Sequence, residues 1–272
     1  MRIRVSYTTA YSYASSARWI LQRLRLTPRP HDFQQVLSWR VEADSDVRLT
    51  TSEDAFGNIV HTLSTDRPVQ ALTLAVAGEV RTTEASGLVT GGLERLPISA
   101  YLRDTALTSA DEAMKAFATR IAEEAGDEPL ARLHRLMNVI HDEFAFDTGA
   151  TVVTADASHA FAIRSGVCQD LSHIFVATAR RMGIPARYVS GHLARGDGQI
   201  DQEAGHAWAE GYVPALGWVG FDPANGVCPT ESYIRVAIGL DYLDAAPVRG
   251  ARTGGGEETM IVKLRVAEAR QQ

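Results

Sequence analysis

The period of the apolar residues changes twice along this chain, and that order of periods leaves few folds open. Over the first part it is two. Ile3, Val5 and Tyr7 alternate with Arg4 and Ser6, and Leu24 and Leu26 alternate with Arg23 and Arg25. Such alternation puts one face of a strand on a core and the other in water. Pro28 and Pro30 stop the second run, because proline cannot donate to a ladder. DAFGN at 54–58 is a turn signal leading into IVHTL at 59–63, and ALTLAVAGEV at 71–80 is a further strand.

After a loop with Gly87, Gly91, Gly92 and Pro97 the period becomes helical. Ser109 and Glu112 have capping-box spacing, and Met114, Phe117 and Ile121 follow as a stripe that ends at Gly126. Asp127 precedes a second helix with Leu130, Leu133, Met137, Ile140 and Phe144 on one side. A third starts at about Cys168, points Leu171, Ile174, Phe175, Thr178 and Met182 inward, and stops at Gly183 and Pro185. The period then returns to two in 186–193, 205–213 and 217–222. TGGGEE at 253–258 reads as a flexible linker before a last strand, MIVKLRV at 260–266. The reading is an α+β chain: an antiparallel β-domain over 1–95, then helices packed on an antiparallel sheet over 96–272, the C-terminal strand included.

Composition narrows the function classes. The chain has 272 residues, 45% of them hydrophobic, enough to build a core. Its net charge of −6 argues against a phosphate-backbone partner, so no nucleic acid is expected. Two cysteines exclude a disulfide scaffold and a four-cysteine zinc site. The start lacks the apolar run of a signal peptide, and no stretch approaches the ~20 apolar residues of a membrane span. A cytoplasmic protein with no membrane partner is expected.

Cys168 stands at the predicted start of the third helix. There the unpaired N–H groups and the positive end of the helix dipole favour a thiolate, the nucleophilic form of cysteine. The backbone N–H at that point is also a donor for a developing oxyanion. A lone cysteine is more often a small core residue, so the partners decide. His173 lies about 140° round the helix from Cys168 and faces elsewhere. His192, at a strand end, stays open as a base. His206 is the better one: alternation puts it on one face with Trp208, Glu210 and Tyr212, a polar and aromatic face suited to a cleft wall. Asp222 ends GWVGFD before Pro223, and a hairpin through 214–217 brings it toward His206. A carboxylate there orients the imidazole and supports its charge.

These segments carry a resemblance. SGVCQDLSHIFVATARRMGIPARYVSGHL at 165–193 and GHAWAEGYVPALGWVGFDPANG at 205–226 closely resemble bacterial transglutaminase-like proteins. LRLTPRP at 24–30 and DAFGN resemble the β-rich domain that precedes the core in that family. The resemblance implies a papain-like core with a triad at Cys168, His206 and Asp222. RVAIGLDYLDAAPVRG at 235–250 looks like the family's C-terminal stretch, with Leu240 where the family pattern has Arg, a departure assigned to the rim of the site.

The chemistry such a triad implies is acyl transfer from a peptide or protein substrate, without cofactor or metal. No D-x-D-x-D-G loop is present to carry over the calcium dependence of several animal transglutaminases. His134 and His141 lie two turns apart without a supporting metal motif, and Cys228 reads as a buried structural thiol. Trp208 and Trp218 stand as candidates for the walls of a substrate groove. Hydrolysis by a cysteine peptidase or amidase leads, since microbial members of the superfamily are often taken as hydrolases. Glutamine transamidation and a non-enzymatic binding module are the alternatives, because fold alone does not set function.

Overall fold

The computed structural model describes residues 1–44, 47–151 and 155–269 of the chain. Five strands open it: β1 (Arg2–Thr27), β2 (Gln34–Ala43), β3 (Val47–Glu53), β4 (Ile59–Thr65) and β5 (Val69–Thr82). The two short runs expected at 3–7 and 24–26 are parts of one 26-residue strand. No glycine or proline interrupts the stretch between them, so the ladder continues and changes partner instead. The first half of β1 pairs with β5, Ile3 opposite Val80, and the second half with β4, Leu21 opposite Ser64. The register shifts between Ser12 and Ala17. Tyr11, Ile20, Leu24, Leu63, Leu72 and Leu74 are buried together along the strand pairs. The 54–58 turn joins β3 to β4, with Gly57 at φ +81° and the Asp54 carboxylate accepting from the Phe56 and Asn58 amides.

The chain then crosses to a second sheet earlier than its composition suggests. β6 (Leu88–Val89) already pairs there. Two helices follow, α1 (Glu112–Ala125) and α2 (Pro129–Glu143). The cap of α1 is Asp111, which accepts from the Met114 amide at 2.9 Å, and not Ser109; a carboxylate one residue before the helix reaches an orphan N–H directly. Gly126 ends α1 at φ +76°. A parallel pair, β7 (Ala145–Phe146) and β8 (Ser165–Gly166), flanks a third helix, α3 (Ala157–Ile163), which the apolar pattern does not announce. Its seven residues are too few to show a period.

α4 (Cys168–Arg181) is the central element, buried from Asp170 through Arg180. It packs on the second sheet, whose strand order runs β13–β9–β11–β12–β6 with β9 (Ala186–Leu193), β11 (His206–Val213), β12 (Gly217–Phe221) and β13 (Tyr233–Gly239). Phe175 of α4 stacks on Phe221 of β12 at 5.3 Å between ring centroids. Fully burying one such side chain contributes roughly 1.5–3 kcal/mol.

The end of the chain corrects the expected domain split. After β10 (Asp201–Gln202), the short α5 (Tyr242–Ala245) and β14 (Val248–Gly254), the last strand β15 (Glu258–Glu268) returns to the first sheet and pairs with β1, Tyr11 opposite Met260. β14 also pairs with β1, so the glycines at 254–256, all at positive φ, form a tight connection between two strands and not a free linker. Residues 248–268 therefore belong with the N-terminal sheet, and residues 88–89 with the core. Alternation marks a strand but does not say which edge it joins. Asn58 ties the two parts together, bonding both the carbonyl and the amide of Ile238.

Candidate active site

The start of α4 is built by four residues around Cys168. Val167 caps it in an extended conformation, and its amide donates to the Asp170 carboxylate at 2.9 Å. Thr151 donates its hydroxyl to the same oxygen at 2.6 Å, holding a neighbouring loop against the helix. Gly166 is required by space: a Cβ there would lie 2.6 Å from the Cβ of Asp170. Cys168 thus stands in the first turn, where amides have no intrahelical acceptor.

His206 opens β11. Its Nε2 donates to Asp222 Oδ2 at 2.6 Å, as the hairpin between β11 and β12 allows. Asp222 has no exposed surface and follows β12 directly. Its Oδ1 accepts from the Ala224 and Asn225 amides, and its Oδ2 also accepts from the Asn225 side-chain amide at 2.7 Å and the Tyr233 hydroxyl at 2.8 Å. A carboxylate with that many donors is a stable anion. Asn225 and Tyr233 were not singled out in the sequence. Asn225 stands three residues after Asp222 and fits an Asx-type turn; Tyr233 lies on another strand and carries no local signal.

The electrostatics follow from this geometry. Burial opposes a charge on His206, yet the hydrogen bond to Asp222, the closeness of the Cys168 thiol and the charges of both outweigh it and raise the imidazole to about 10. Burial works against the Asp222 anion, but the bond to His206, its charge, and Tyr233 and Asn225 hold the carboxyl below its ordinary value. With Nε2 committed to Asp222, Nδ1 is left for Cys168. The structure brings Cys168, His206 and Asp222 into one connected group.

The remaining candidates do not join this group. His192 is buried on β9, where burial lowers its pKa to about 4, and its ring neighbours Trp39. His173 is fully buried and accepts the Tyr242 amide at 3.0 Å. Cys228 is half-buried against the helical core, and burial pushes its thiol up to about 11. Leu240 offers its carbonyl to Arg180 at 2.7 Å and does not line the cleft beside Cys168, so it is no part of a rim. Among the described residues no three His, Cys, Asp or Glu side chains converge as a metal-binding group.

Trp208 and Trp218 are not groove walls. They are 2% and 3% exposed. Trp208 packs behind His206 and edge-on to Tyr233, 5.4 Å between ring centroids. Trp218 packs on Tyr101 and under the guanidinium of Arg187 at 3.8 Å. Beyond His206 the shared face of β11 is covered: Glu210, with no exposed surface, is paired with Arg187 at 2.6 Å and Arg235 at 2.7 Å. A polar face is closed here by buried, mutually paired charges and not by solvent.

Cys168 and His206 open instead on a cleft of about 900 Å³ between the two sheets. Gln169, Tyr188 and Asn225 line it on the core side, and Tyr7, Tyr11, Met260 and Val262 on the side of the N-terminal sheet.

Comparison with known proteins agrees with this architecture. The transglutaminase-like superfamily model matches residues 115–223, and that of the bacterial transglutaminase-like N-terminal region matches residues 3–81. The uncharacterised protein ML0607 of Mycobacterium leprae is 31% identical over 277 residues, covering 97% of this chain and 98% of its own. A protein-glutamine gamma-glutamyltransferase of Pseudomonas aeruginosa is 31% identical over 130 residues, 42% of this chain and 19% of its own. A crystal structure of a candidate cysteine protease from Cytophaga hutchinsonii shares the fold, with a TM-score of 0.78 at 17% identity over 100% of this chain and 92% of that one.

Proposed function

This chain belongs to the transglutaminase-like superfamily, and on that premise we propose that it is a thiol-dependent acyl-transfer enzyme that hydrolyses peptide or amide bonds. The observation that carries the reading is the linked arrangement of Cys168 at a helix start, His206 beside it and the buried Asp222 behind His206. An imidazole raised to about 10 holds its proton at neutral pH and can give it to a leaving group beside Cys168.

The thiolate of Cys168 attacks the carbonyl carbon of the substrate amide, forming a C–S bond. The oxyanion is met by the backbone N–H of Cys168. His206 gives its proton to the leaving nitrogen as the C–N bond breaks. Water then attacks the acyl-enzyme, its proton passing to His206, and the C–S bond breaks to release the acid and restore the thiolate. Asp222 keeps the imidazole in one orientation throughout.

Hydrolysis is favoured over transfer to an amine by the large open cleft beside Cys168. A transamidase must keep water from the thioester, and here neither Trp208 nor Trp218 reaches over Cys168. The second reading, transamidation of protein glutamine, is supported by the activity named for the Pseudomonas aeruginosa relative. A glutamine-containing peptide library with and without a labelled primary amine, using Cys168→Ala as blank, separates the two. Peptide fragments or ammonia appearing faster than labelled amine supports hydrolysis; the reverse order supports transamidation. No Cys168-dependent product in either arm points to the binding module.

A further inference from the structure

The cleft has an aromatic wall that the proposed chemistry does not use. Tyr188 packs against Cys168. Tyr242 meets Tyr188 edge-on, 6.2 Å between ring centroids. Tyr7 of β1 lines the same cleft from the N-terminal sheet. Tyr11 lies four residues along the same strand, on the same face as Tyr7. The register of β1 with β15 then seats Met260 opposite Tyr11 and Val262 opposite Thr9. The row leads from the thiol to the N-terminal sheet.

Two large apolar side chains on this cleft are open to solvent, Met260 at 55% and Phe146 at 57%. Exposed apolar surface beside polar groups marks a binding surface. Its basic groups do not select an anion, and Glu203, an exposed acid, also lines it. Arg25 is already paired with Asp54 at 2.8 Å and Arg195 with Asp197, and His192, lowered to about 4, is neutral.

Resting on the acyl-transfer reading, we infer that the tyrosine row with Met260 and Val262 is a specificity subsite for an uncharged, apolar or aromatic side chain of an extended peptide, next to the amide that reacts at Cys168. The N-terminal sheet thereby selects the substrate. Its continuity with Cys168 makes the substrate chain the occupant, and the tyrosine rings with their polar tips suit a peptide whose backbone remains partly wet.

The test uses the full chain carrying Cys168→Ala and blocked glutamine peptides that differ only in the residues beside the glutamine. These are Leu or Phe in one set and Glu or Lys in the other, with binding measured by calorimetry. The apolar set is expected to bind at least about tenfold tighter, the size set by burying one such side chain. Met260→Glu, at a site 55% exposed, should in the same background reduce that preference to under threefold, and Val262→Glu, at a half-buried one, should do the same. Equal binding of the two sets, binding of neither, or a preference unchanged by both substitutions overturns the inference. Turnover of the same peptides by the unsubstituted chain is scored separately. No Cys168-dependent product sinks the acyl-transfer reading while the binding preference stays readable.

Discussion

Asp222 and Tyr233 meet at 2.8 Å across two strands, and the phenol donates to the same carboxylate oxygen that holds His206. His206 is therefore oriented by an anion that is itself held from a third strand, β13. Asn225 completes the set from the turn after β12. The consequences are measurable at each member.

Asp222→Asn should leave the fold in place and lower kcat by roughly 10³–10⁴, the scale seen when an orienting carboxylate is replaced in a hydrolase triad. Tyr233→Phe removes one donor and keeps the ring packed on Trp208. Its loss should be smaller, about tenfold, in line with one hydrogen bond to a charged group. Steady-state kinetics on the best peptide of the library checks both. Equal losses would assign Tyr233 a larger part than donation to Asp222.

Iodoacetamide should label Cys168 in preference to Cys228, whose thiol burial pushes to about 11. His206→Ala takes away the positive partner of Cys168, and its labelling at pH 6 should slow by about tenfold or more. Mass spectrometry of tryptic peptides reads both residues in one experiment. An unchanged rate at Cys168 in the variant would place its activation elsewhere.

The His206–Asp222 pair should also show in stability. His206 is raised from 6.5 to about 10, so its contribution is complete below pH 6.5 and is lost as pH rises through 10. Asp222 is held below 3.8, so its contribution is present above that value and is lost as pH falls through the lowered one. The pair therefore stabilises most between about pH 4 and 6.5. Thermal denaturation of the native chain and of His206→Ala should differ most in that window, with the gap closing toward pH 10. A gap that widens from pH 7 to pH 10 would contradict the charged imidazole.

Gly166→Ala should damage the site without touching a reacting group. The added Cβ would lie 2.6 Å from that of Asp170, whose carboxylate caps the Val167 amide. Overpacking of this kind costs about 1–3 kcal/mol, and the displaced cap would shift Cys168. A lower melting temperature together with slower Cys168 labelling is expected; normal labelling would mean that the helix start tolerates the shift.

Much of the site could be read in the chain because the devices that build it are local. A helix begins at Cys168 where the apolar period of 3.6 sets in, and β11 and β12 form a hairpin because two alternating runs stand on either side of a short turn. The order helix-start Cys, strand His, strand-end Asp then brings the three side chains to one end of the core sheet. Asp54 and Gly57 likewise make their turn from within five residues.

What the chain did not disclose depends on which layer covers which face. Alternation places Trp208 on the face of His206, but only the packed structure shows that Tyr233 packs on the buried indole and that Arg187 and Arg235 close the same face at Glu210. Alternation also marks β15 as a strand, yet its choice of β1 over the core sheet is a matter of free edges, and neither edge is encoded near residue 260. The sequence by itself determined the elements, the order of Cys168, His206 and Asp222 along them and the helix start under the thiol, because hydrogen-bonded turns and side-chain periods act over a few residues. Tertiary structure alone decided that the two ends of the chain meet in one sheet and that this sheet faces Cys168 across the cleft, because pairing between strands roughly 250 residues apart is set by the competition of whole surfaces for burial.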